Sequence, residues 1–536
     1  MTGSSDDVMH WLADPATYRA AGILSADAAG QVTRIDTHAA TVFLIGDRAF
    51  KMKKPVRLPF LDFSTPALRR AAITRELAIN RPNAPGIYRG IRAVLRQADG
   101  SLALVDAGAV PPGTEPIDWV LEMTRFDTAT TLDHLAAAPL TTALVDALAD
   151  VVVAAETRAG LRDAAPWIAD LRAYIAQNDA AFRSWPDLFP PEAVAGLTAA
   201  AERDFARILP LLTARGDAGR IRLTHGDLHS GNIAIIDGAP VLFDAIEFDD
   251  AIATGDILYD AAFLIMDLDE RGRQAEANRF LNRWLMATAR AAGHGAAFAK
   301  ALVGEACGLA ALPMFLMMRA AIRAKVTAAK AGYVGGEERT AAEAEARRYF
   351  RLAIRDLAPA RPRLIAIGGL SGTGKSTLAR QLAPLIGHAP GALHLRSDQI
   401  RKALAGVAET DRLPTEAYTL QASRAVYALI ERAGAAALAA GWSVVVDTVA
   451  ARPEERAAFA GLAARAGAGF LGLWLEAPPE LLAARVTARS RDASDADARV
   501  VALQQAYPTG DIDWIRLDAG GSPEAVLALV RAATGI

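Results

Sequence analysis

Apolar residues fall in two textures along the chain. Short runs of β type crowd between residues 40 and 125: Thr41-Val42-Phe43-Leu44-Ile45, Ala49-Phe50-Lys51-Met52, Ile91 to Leu95, Leu102 to Val105 and Trp119 to Met123. One helix, over about 65–80, interrupts them. Residues 130–215 and 270–357 instead carry helical spacing, although alanine enrichment blurs the period. The pattern predicts a small β-rich lobe over about 30–125 and a helical lobe over about 126–357. The last helix of this region, 340–357, sets Arg347, Arg348, Arg351 and Arg355 on an exposed face. It stops at Ala358-Pro359-Ala360-Arg361-Pro362, a proline-containing linker (358–362). Beyond it, Leu364-Ile365-Ala366-Ile367 is an apolar strand that runs into a glycine-rich turn. The expected organisation is an α+β region at 1–357 and an α/β region at 363–536, a parallel sheet flanked by helices. No internal repeat or low-complexity tail is present.

Composition narrows the functional classes. The 536 residues are 52% hydrophobic and 22% charged, enough to bury large cores. Lys plus Arg number 58 against 61 Asp plus Glu. Residues 361–536 carry 19 basic and 17 acidic side chains, leaving −5 for residues 1–360. Neither balance suits a nucleic-acid coat or a polybasic membrane anchor. The single cysteine, Cys307, forbids an intrachain disulfide and fits a reducing compartment. The first residues, Met1 to Asp7, lack the basic and apolar regions of a secretory signal. The greasiest run, Gly308 to Met318, is shorter than the roughly 20 residues a membrane helix needs and reads as a buried helix. A cytoplasmic protein with small-molecule partners is expected; nothing in the chain sets its oligomeric state.

The chemistry concentrates in two motifs. His225-Gly226-Asp227-Leu228-His229-Ser230-Gly231-Asn232 forms a loop before the strand Ile233 to Ile236, and a further strand, Val241-Leu242-Phe243, ends at Asp244. Asp and Asn five apart, followed by a strand-borne Asp, suit phosphoryl transfer. One carboxylate takes a hydroxyl proton, while the amide and the second carboxylate hold Mg²⁺. The i,i+4 pair His225/His229 has the spacing of a zinc helix, but Gly226 is a poor helix residue and the glutamate of H-E-x-x-H is missing.

This segment resembles the catalytic loop of the aminoglycoside phosphotransferase branch of the protein-kinase-like fold, H-G-D-x-H-x-x-N. The resemblance implies a two-lobed domain with Asp227 as catalytic base and Asn232 and Asp244 as metal ligands. It also implies that Asp256 or Asp260 braces the loop, with Glu247 a rival of Asp244 for the metal. Such a lobe needs a strand lysine paired with a helix glutamate. Lys51 and Lys53 share a strand face; Lys51, deeper in the apolar run, is the expected partner of Glu76, the alternative being an exposed edge. No G-x-G-x-x-G precedes Lys51, so residues 35–41 must cover the phosphates. For the acceptor, Arg319, Arg323 and Lys325 could bind an anion or line a solvated face, and Asp267, Asp269 and Glu270 could meet a cation or nothing.

The second motif, Gly369-Leu370-Ser371-Gly372-Thr373-Gly374-Lys375-Ser376, is a complete G-x-x-x-x-G-K-S between a strand and a helix. Its backbone N–H groups and the helix N-terminus cradle phosphates, Lys375 reaches the β/γ-phosphates and Ser376 holds Mg²⁺. Gly369, Gly372, Thr373, Gly374, Lys375, Ser376 and Thr377 form the candidate ATP-binding set. Asp447, ending the run Val444 to Val446, takes the Walker-B place as a metal ligand. Asp398 and Arg401 form D-x-x-R after a second strand. Arg485, Arg489 and Arg491 suit a closing lid.

This half resembles small P-loop kinases such as gluconate kinase, chloramphenicol phosphotransferase and polynucleotide 5′-kinase. The resemblance implies Asp398 as base on the acceptor hydroxyl and Arg401 as a substrate ligand, with Arg452 and Arg456 lining the same pocket. The whole chain resembles bacterial fusions of an aminoglycoside-phosphotransferase-like domain with a P-loop kinase-like domain. An ATP- and Mg²⁺-dependent bifunctional kinase is therefore expected. The alternatives are a silent nucleotide sensor in one half, or a protein or RNA acceptor.

Overall fold

The computed structural model describes residues 5–25, 30–37, 39–58, 61–137, 139–488 and 493–534. The chain divides into two compact units. The first comprises Met1–Pro139, Arg158–Arg162 and Ile221–Asp260; the second comprises Leu140–Thr157, Asp163–Arg220 and Ala261–Ile536.

The first unit is built on a six-stranded antiparallel sheet. Its spatial order is Thr33–Asp36, Ala40–Ile45, Arg48–Lys53, Asp118–Thr124, Tyr88–Arg96 and Leu102–Asp106. The five β-type runs of the sequence are all strands, and Thr33–Asp36 extends the sheet beyond them. Phe43, Phe50, Met52 and Val120 bury one face together with Val8, Leu12 and Tyr18. These last residues lie on short helices, Ser5–Leu12 and Pro15–Ala20, which the periodicity did not suggest.

Helix Pro66–Asn80 starts where Thr65 accepts the Leu68 N–H, with proline in the first turn. It is pinned to the sheet by buried Arg69, whose guanidinium grips Asp118 at 2.8 and 2.7 Å. Strands Ile221–Leu223 and Thr254–Asp256 pair with each other, as do Ile233–Ile236 and Ala239–Leu242, and together they frame the His225–Asn232 loop.

The second unit contains helices Ala164–Arg183, Pro191–Asp217, Gln274–Ala291, Ala296–Gly308, Leu312–Ala331 and Gly336–Asp356, then a five-stranded sheet. Residues 296–331 are apolar enough in composition to cross a membrane, more than the 308–318 run suggested, yet they are mostly buried inside the protein. They form two helices joined by a 3-10 turn at Leu309–Ala311. The sheet is wholly parallel, in the order Leu393–Arg396, Val444–Asp447, Arg363–Gly369, Gly469–Glu476 and Ile515–Asp518. Its inner strands Val444–Asp447 and Arg363–Gly369 are near-continuous apolar runs because both faces are covered. Ile365, Ile367, Val445 and Leu473 pack with Leu378 and Leu382 of helix Lys375–Leu382. The fold is thus α+β followed by α/β, a kinase-like lobed region and a P-loop domain.

Candidate active sites

In the first unit, alternation along Arg48–Lys53 puts Lys51 and Lys53 on one face. Both reach Glu76: Lys51 Nζ lies 2.7 Å from Oε1 and Lys53 Nζ 2.6 Å from Oε2. Lys51 continues to Asp244 Oδ1 at 2.9 Å, and Lys53 pairs with Glu247. The expectation that Lys51 is the deeper lysine is reversed. Its side chain is 16% exposed and that of Lys53 only 3%, because Lys53 lies between two buried carboxylates, Glu76 and Glu247. Lys51 is nevertheless the lysine that meets Asp244. Glu247 is drawn to Lys53 instead of standing beside Asp244 as a rival ligand.

The segment from Asp244 is held from three sides. The Tyr88 hydroxyl accepts the Asp244 N–H (3.1 Å), the Asn80 amide oxygen accepts that of Ala245 (2.8 Å), and the His225 carbonyl accepts that of Ile246 (3.0 Å). Asp244 itself has φ 60°, a left-handed conformation that a non-glycine residue adopts only under constraint. Lys51 beside it holds its carboxyl below the usual range. Burial would raise Glu76, but the two lysines outweigh it and hold that carboxyl low. Burial likewise works against the charge on Lys51, and Asp244, Glu76 and Glu247 overcome it, raising the lysine well above its ordinary value.

The His225–Asn232 loop is braced by Asp260, which settles the choice between the two aspartates. Its oxygens accept the N–H groups of His225 (3.2 Å) and Gly226 (2.9 Å), whereas Asp256 accepts the Leu258 N–H at the start of helix Ile257–Glu270. Gly226 has φ 80°, and a Cβ there would lie 3.1 Å from both Ala253 Cα and Ile246 Cδ1, so glycine is required. Asn232 donates to the Asp227 carbonyl (2.9 Å) and to its Oδ2 (3.0 Å). His225 points its Nε2 at the Phe243 carbonyl, and His229 Nδ1 accepts the Gly231 N–H. Each histidine is committed to a different part of the loop, so they do not form a metal pair. Of the segment 35–41 expected to cover the phosphates, Asp36 accepts from Arg34 and Thr41 and pairs with Lys54.

Arg319, Arg323 and the acidic candidates of the helical region are otherwise engaged. Arg319 is 6% exposed and stacks on Phe263, and Arg323 lies over Tyr349. Asp267, Asp269 and Glu270 pair with Arg271, Arg355 and Arg348. Arg348 and Arg355 do lie on the exposed helix face that the sequence suggests, and there they are ion-paired.

In the second unit, Lys375, Ser376, Asp398, Arg401, Asp447 and Arg452 line one cleft of about 1390 Å³. The P-loop turns through Gly369, Gly372 and Gly374, at φ 133°, 90° and 88°. A Cβ on Gly372 would sit 2.7 Å from the Leu482 carbonyl oxygen. Thr373 Oγ1 and Lys375 Nζ both donate to the Leu370 carbonyl, at 2.8 and 2.9 Å, and Thr377 Oγ1 accepts from Arg380 (3.3 Å). Register places Asp447 beside Arg396 on the neighbouring strand, and both Arg396 Nε and His394 Nε2 stand 3.7 Å from Asp447 Oδ2. Burial would raise Asp447, but His394, Arg396 and Lys375 hold it below the usual range. Asp398 behaves oppositely. Burial and the Asp447 charge raise its pKa despite Arg396 and Lys375.

The arginines separate by what they hold. Arg401 donates to the Ala417 carbonyl and stacks on Tyr418 at the cleft wall. Arg485, expected in a lid, instead donates to the carbonyls of Ala519, Gly520 and Gly521 and is not among the described residues of the cleft wall. Arg456 is buried and binds four carbonyls, those of Ala450, Ala451, Thr509 and Asp511. Both are structural because a guanidinium fork satisfies several carbonyls at once. Arg489 and Arg491 lie outside the described residues. Asn80 and Tyr88 were not anticipated, and Lys53, which shares a strand face with Lys51, was passed over in its favour although it also reaches Glu76.

Fold and sites define a phosphotransferase with two kinase-type domains. Residues 56–296 match the model of the phosphotransferase enzyme family, and residues 364–509 match an AAA domain model of the P-loop kinase kind. The chain is 30% identical over 501 residues to the uncharacterized protein Rv2004c of Mycobacterium tuberculosis, covering 91% of this chain and 92% of that one. It belongs to the same family. Among solved structures, the Plasmodium vivax ethanolamine kinase is similar over 66% of this chain and 97% of its own, at 9% identity and TM-score 0.38. A gluconokinase from Sinorhizobium meliloti is similar over 32% and 90%, at 20% identity and TM-score 0.24.

Proposed function

We propose that the protein is a bifunctional, ATP- and Mg²⁺-dependent kinase in which each site transfers the γ-phosphoryl group to a hydroxyl of a small molecule in the cytoplasm. One observation carries the reading: each site pairs a phosphate-reaching lysine with a carboxylate that nucleotide binding alone does not need. In the first unit these are Lys51, bound to Glu76 and Asp244, and Asp227, bound to Asn232; in the second, Lys375 and Asp398 line one cleft.

The residues fit the nucleotide and its metal. In the first site Asn232 and Asp244 offer hard oxygen donors, as Mg²⁺ prefers, and Lys51, steadied by Glu76, would contact the phosphates. In the second, the glycine turn and the start of helix Lys375–Leu382 present backbone N–H groups to phosphate, with Ser376 and Asp447 as the metal-holding pair. Among the described residues no cluster of three or more His, Cys, Asp or Glu side chains forms a metal cage. Bound Mg²⁺ would neutralise charge on the phosphates.

Asp227, whose Oδ2 accepts from Asn232 and lies 3.4 Å from His229 Nε2, accepts the acceptor's hydroxyl proton in the first site. Asp398, with its raised pKa, does so in the second, where Arg401 and Arg452 hold the acceptor.

The test uses the full chain with γ-labelled ATP, Mg²⁺ and a small-molecule extract of bacterial cytoplasm, beside Asp227→Asn and Lys375→Ala. Each variant is expected to lose a different labelled solute. If one variant loses nothing and the other everything, one domain is a sensor. Label on protein or RNA alone rejects small-molecule acceptors.

A further inference from the structure

Strand Leu393–Arg396 is the outer strand of the P-loop sheet, paired on one side only, with Val444–Asp447. An outer strand leaves backbone donors and acceptors open along its free edge. Here they are met by helix Gln274–Ala291, which lies more than a hundred residues earlier and belongs to the kinase-like region of the chain. Asn282 serves the edge as a neighbouring strand would. Its Oδ1 accepts the His394 N–H at 2.6 Å, and its Nδ2 donates to the Ala392 carbonyl at 3.2 Å. Asn278, one turn earlier and 3% exposed, donates to the same carbonyl at 3.0 Å. Asn282 Nδ2 also donates to Asn278 Oδ1 (3.2 Å), which fixes how both amides point.

The same helix reaches further along the acceptor side. Arg283 spans Asp150, at 2.8 Å through two nitrogens, and Glu409, also at 2.8 Å. Arg290 donates to the Val407 carbonyl at 3.0 Å and to that of Gln399 at 3.4 Å. Just past the helix, the Gly295 N–H donates to the Leu404 carbonyl. Apart from those to Asp150, these bonds end on residues 392–409, the stretch that carries Asp398 and Arg401. Gln399 adjoins Asp398, and the ring of His394 stands beside Asp447.

We propose that Asn282 and Arg290 are positioning residues of the P-loop site. Helix Gln274–Ala291 sets the strand and helix that aim Asp398 at its acceptor, so the P-loop kinase is not a module separable at residues 358–362. The second compact unit, which runs across that linker, accords with this. The proposal rests on the kinase reading of the P-loop site.

The experiment compares full-length wild type, Asn282→Ala, Arg290→Ala and Lys375→Ala. It measures amide hydrogen exchange over 393–405, and the kcat and the KM for ATP of the Lys375-dependent product, with the Asp227-dependent product as internal control. In Asn282→Ala, exchange should quicken about tenfold, reporting local opening. The Lys375-dependent kcat should fall roughly 10- to 100-fold from misplaced groups. The KM for ATP and the Asp227-dependent product should not change. Arg290→Ala, which removes no edge-strand contact, should show the same split and decides the matter if Asn282→Ala does not fold. Unchanged exchange over 393–405 overturns the proposal. So does quicker exchange with unchanged kcat, which makes the helix a mere cover, or a change confined to the KM for ATP. Should Lys375→Ala itself lose no product, the kinase reading falls, a result separate from those above.

Discussion

The two sites solve the problem of a working carboxylate in opposite ways. In the first, three acids are tied to two lysines: Glu76 touches Lys51 and Lys53, Asp244 touches Lys51, Glu247 touches Lys53. The lysines hold Glu76 and Asp244 low, while burial and the Glu76 charge leave Glu247 raised. In the second, Asp447 is held low by His394, Arg396 and Lys375, while Asp398 is left raised by burial and by Asp447 itself. Two carboxylates in one cleft with pKa values pushed apart divide naturally into a charge holder and a proton acceptor. One domain therefore carries its preorganisation in ion pairs, the other in the shape of a loop and a difference between two acids.

The sharpest way to break this comparison is to remove the two proposed bases. Asp227→Asn and Asp398→Asn should each lower only their own product, by about 10²- to 10⁴-fold, as for loss of a general base. Initial rates of the two labelled products check it. If either substitution removes both products, the sites are not independent catalysts.

The next effect is on stability. Glu76 is fully buried between two lysines. Glu76→Gln strands their charge and should cost about 3–5 kcal/mol in the first unit, as for a broken buried pair. Protection of the strand Arg48–Lys53 against hydrogen exchange measures this locally, without assuming that the whole chain unfolds in one step.

The pH dependence then separates the sites by sign. Glu76 is depressed on folding, so its contribution is present above its unfolded pKa and is lost as pH falls through its lower folded value. The penalty of Glu76→Gln should therefore shrink on acidification. Asp398 is raised, so the stability it favours is present below its unfolded pKa and is lost as pH rises through the folded value. Asp398→Asn should melt above wild type at neutral pH and level with it in acid. Thermal scans in EDTA, free of Mg²⁺, read both. The same raised pKa places the acid limb of the Lys375-dependent rate above that of an exposed carboxylate.

Much of this was legible in the sequence because it is local. The His225–Asn232 loop and the P-loop are contiguous, and their glycines and polar residues declare a backbone path as well as a chemistry. Strand runs such as Thr41 to Ile45 and Trp119 to Met123 declare themselves by apolar alternation. Depth was not legible: Lys51 and Lys53 share a face, and only the packing of helix Pro66–Asn80 shows that Lys53 is the more enclosed. Nor was the choice between Asp256 and Asp260, since both precede or open the same helix and differ only in which N–H groups they meet. The edge contacts of Asn278 and Asn282 join residues more than a hundred positions apart, where an i,i+4 asparagine pair looks like any polar helix face.

Arginines were the least legible, and they give the finest test. A guanidinium can bind phosphate or several backbone carbonyls with the same fork, and sequence does not say which partner is near. Arg485 holds the carbonyls of 519–521, whereas Arg452 faces the cleft. Arg485→Ala should lower stability by about 1–2 kcal/mol through lost charge-assisted hydrogen bonds while sparing turnover. Arg452→Ala should leave melting unchanged and slow the Lys375-dependent product by about tenfold, the equivalent of one charged hydrogen bond to the acceptor. Melting and turnover measured on the same two preparations decide it. A slow but stable Arg485→Ala would return that residue to the transfer reaction, and with it the lid that its hydrogen bonds to the 519–521 carbonyls argue against.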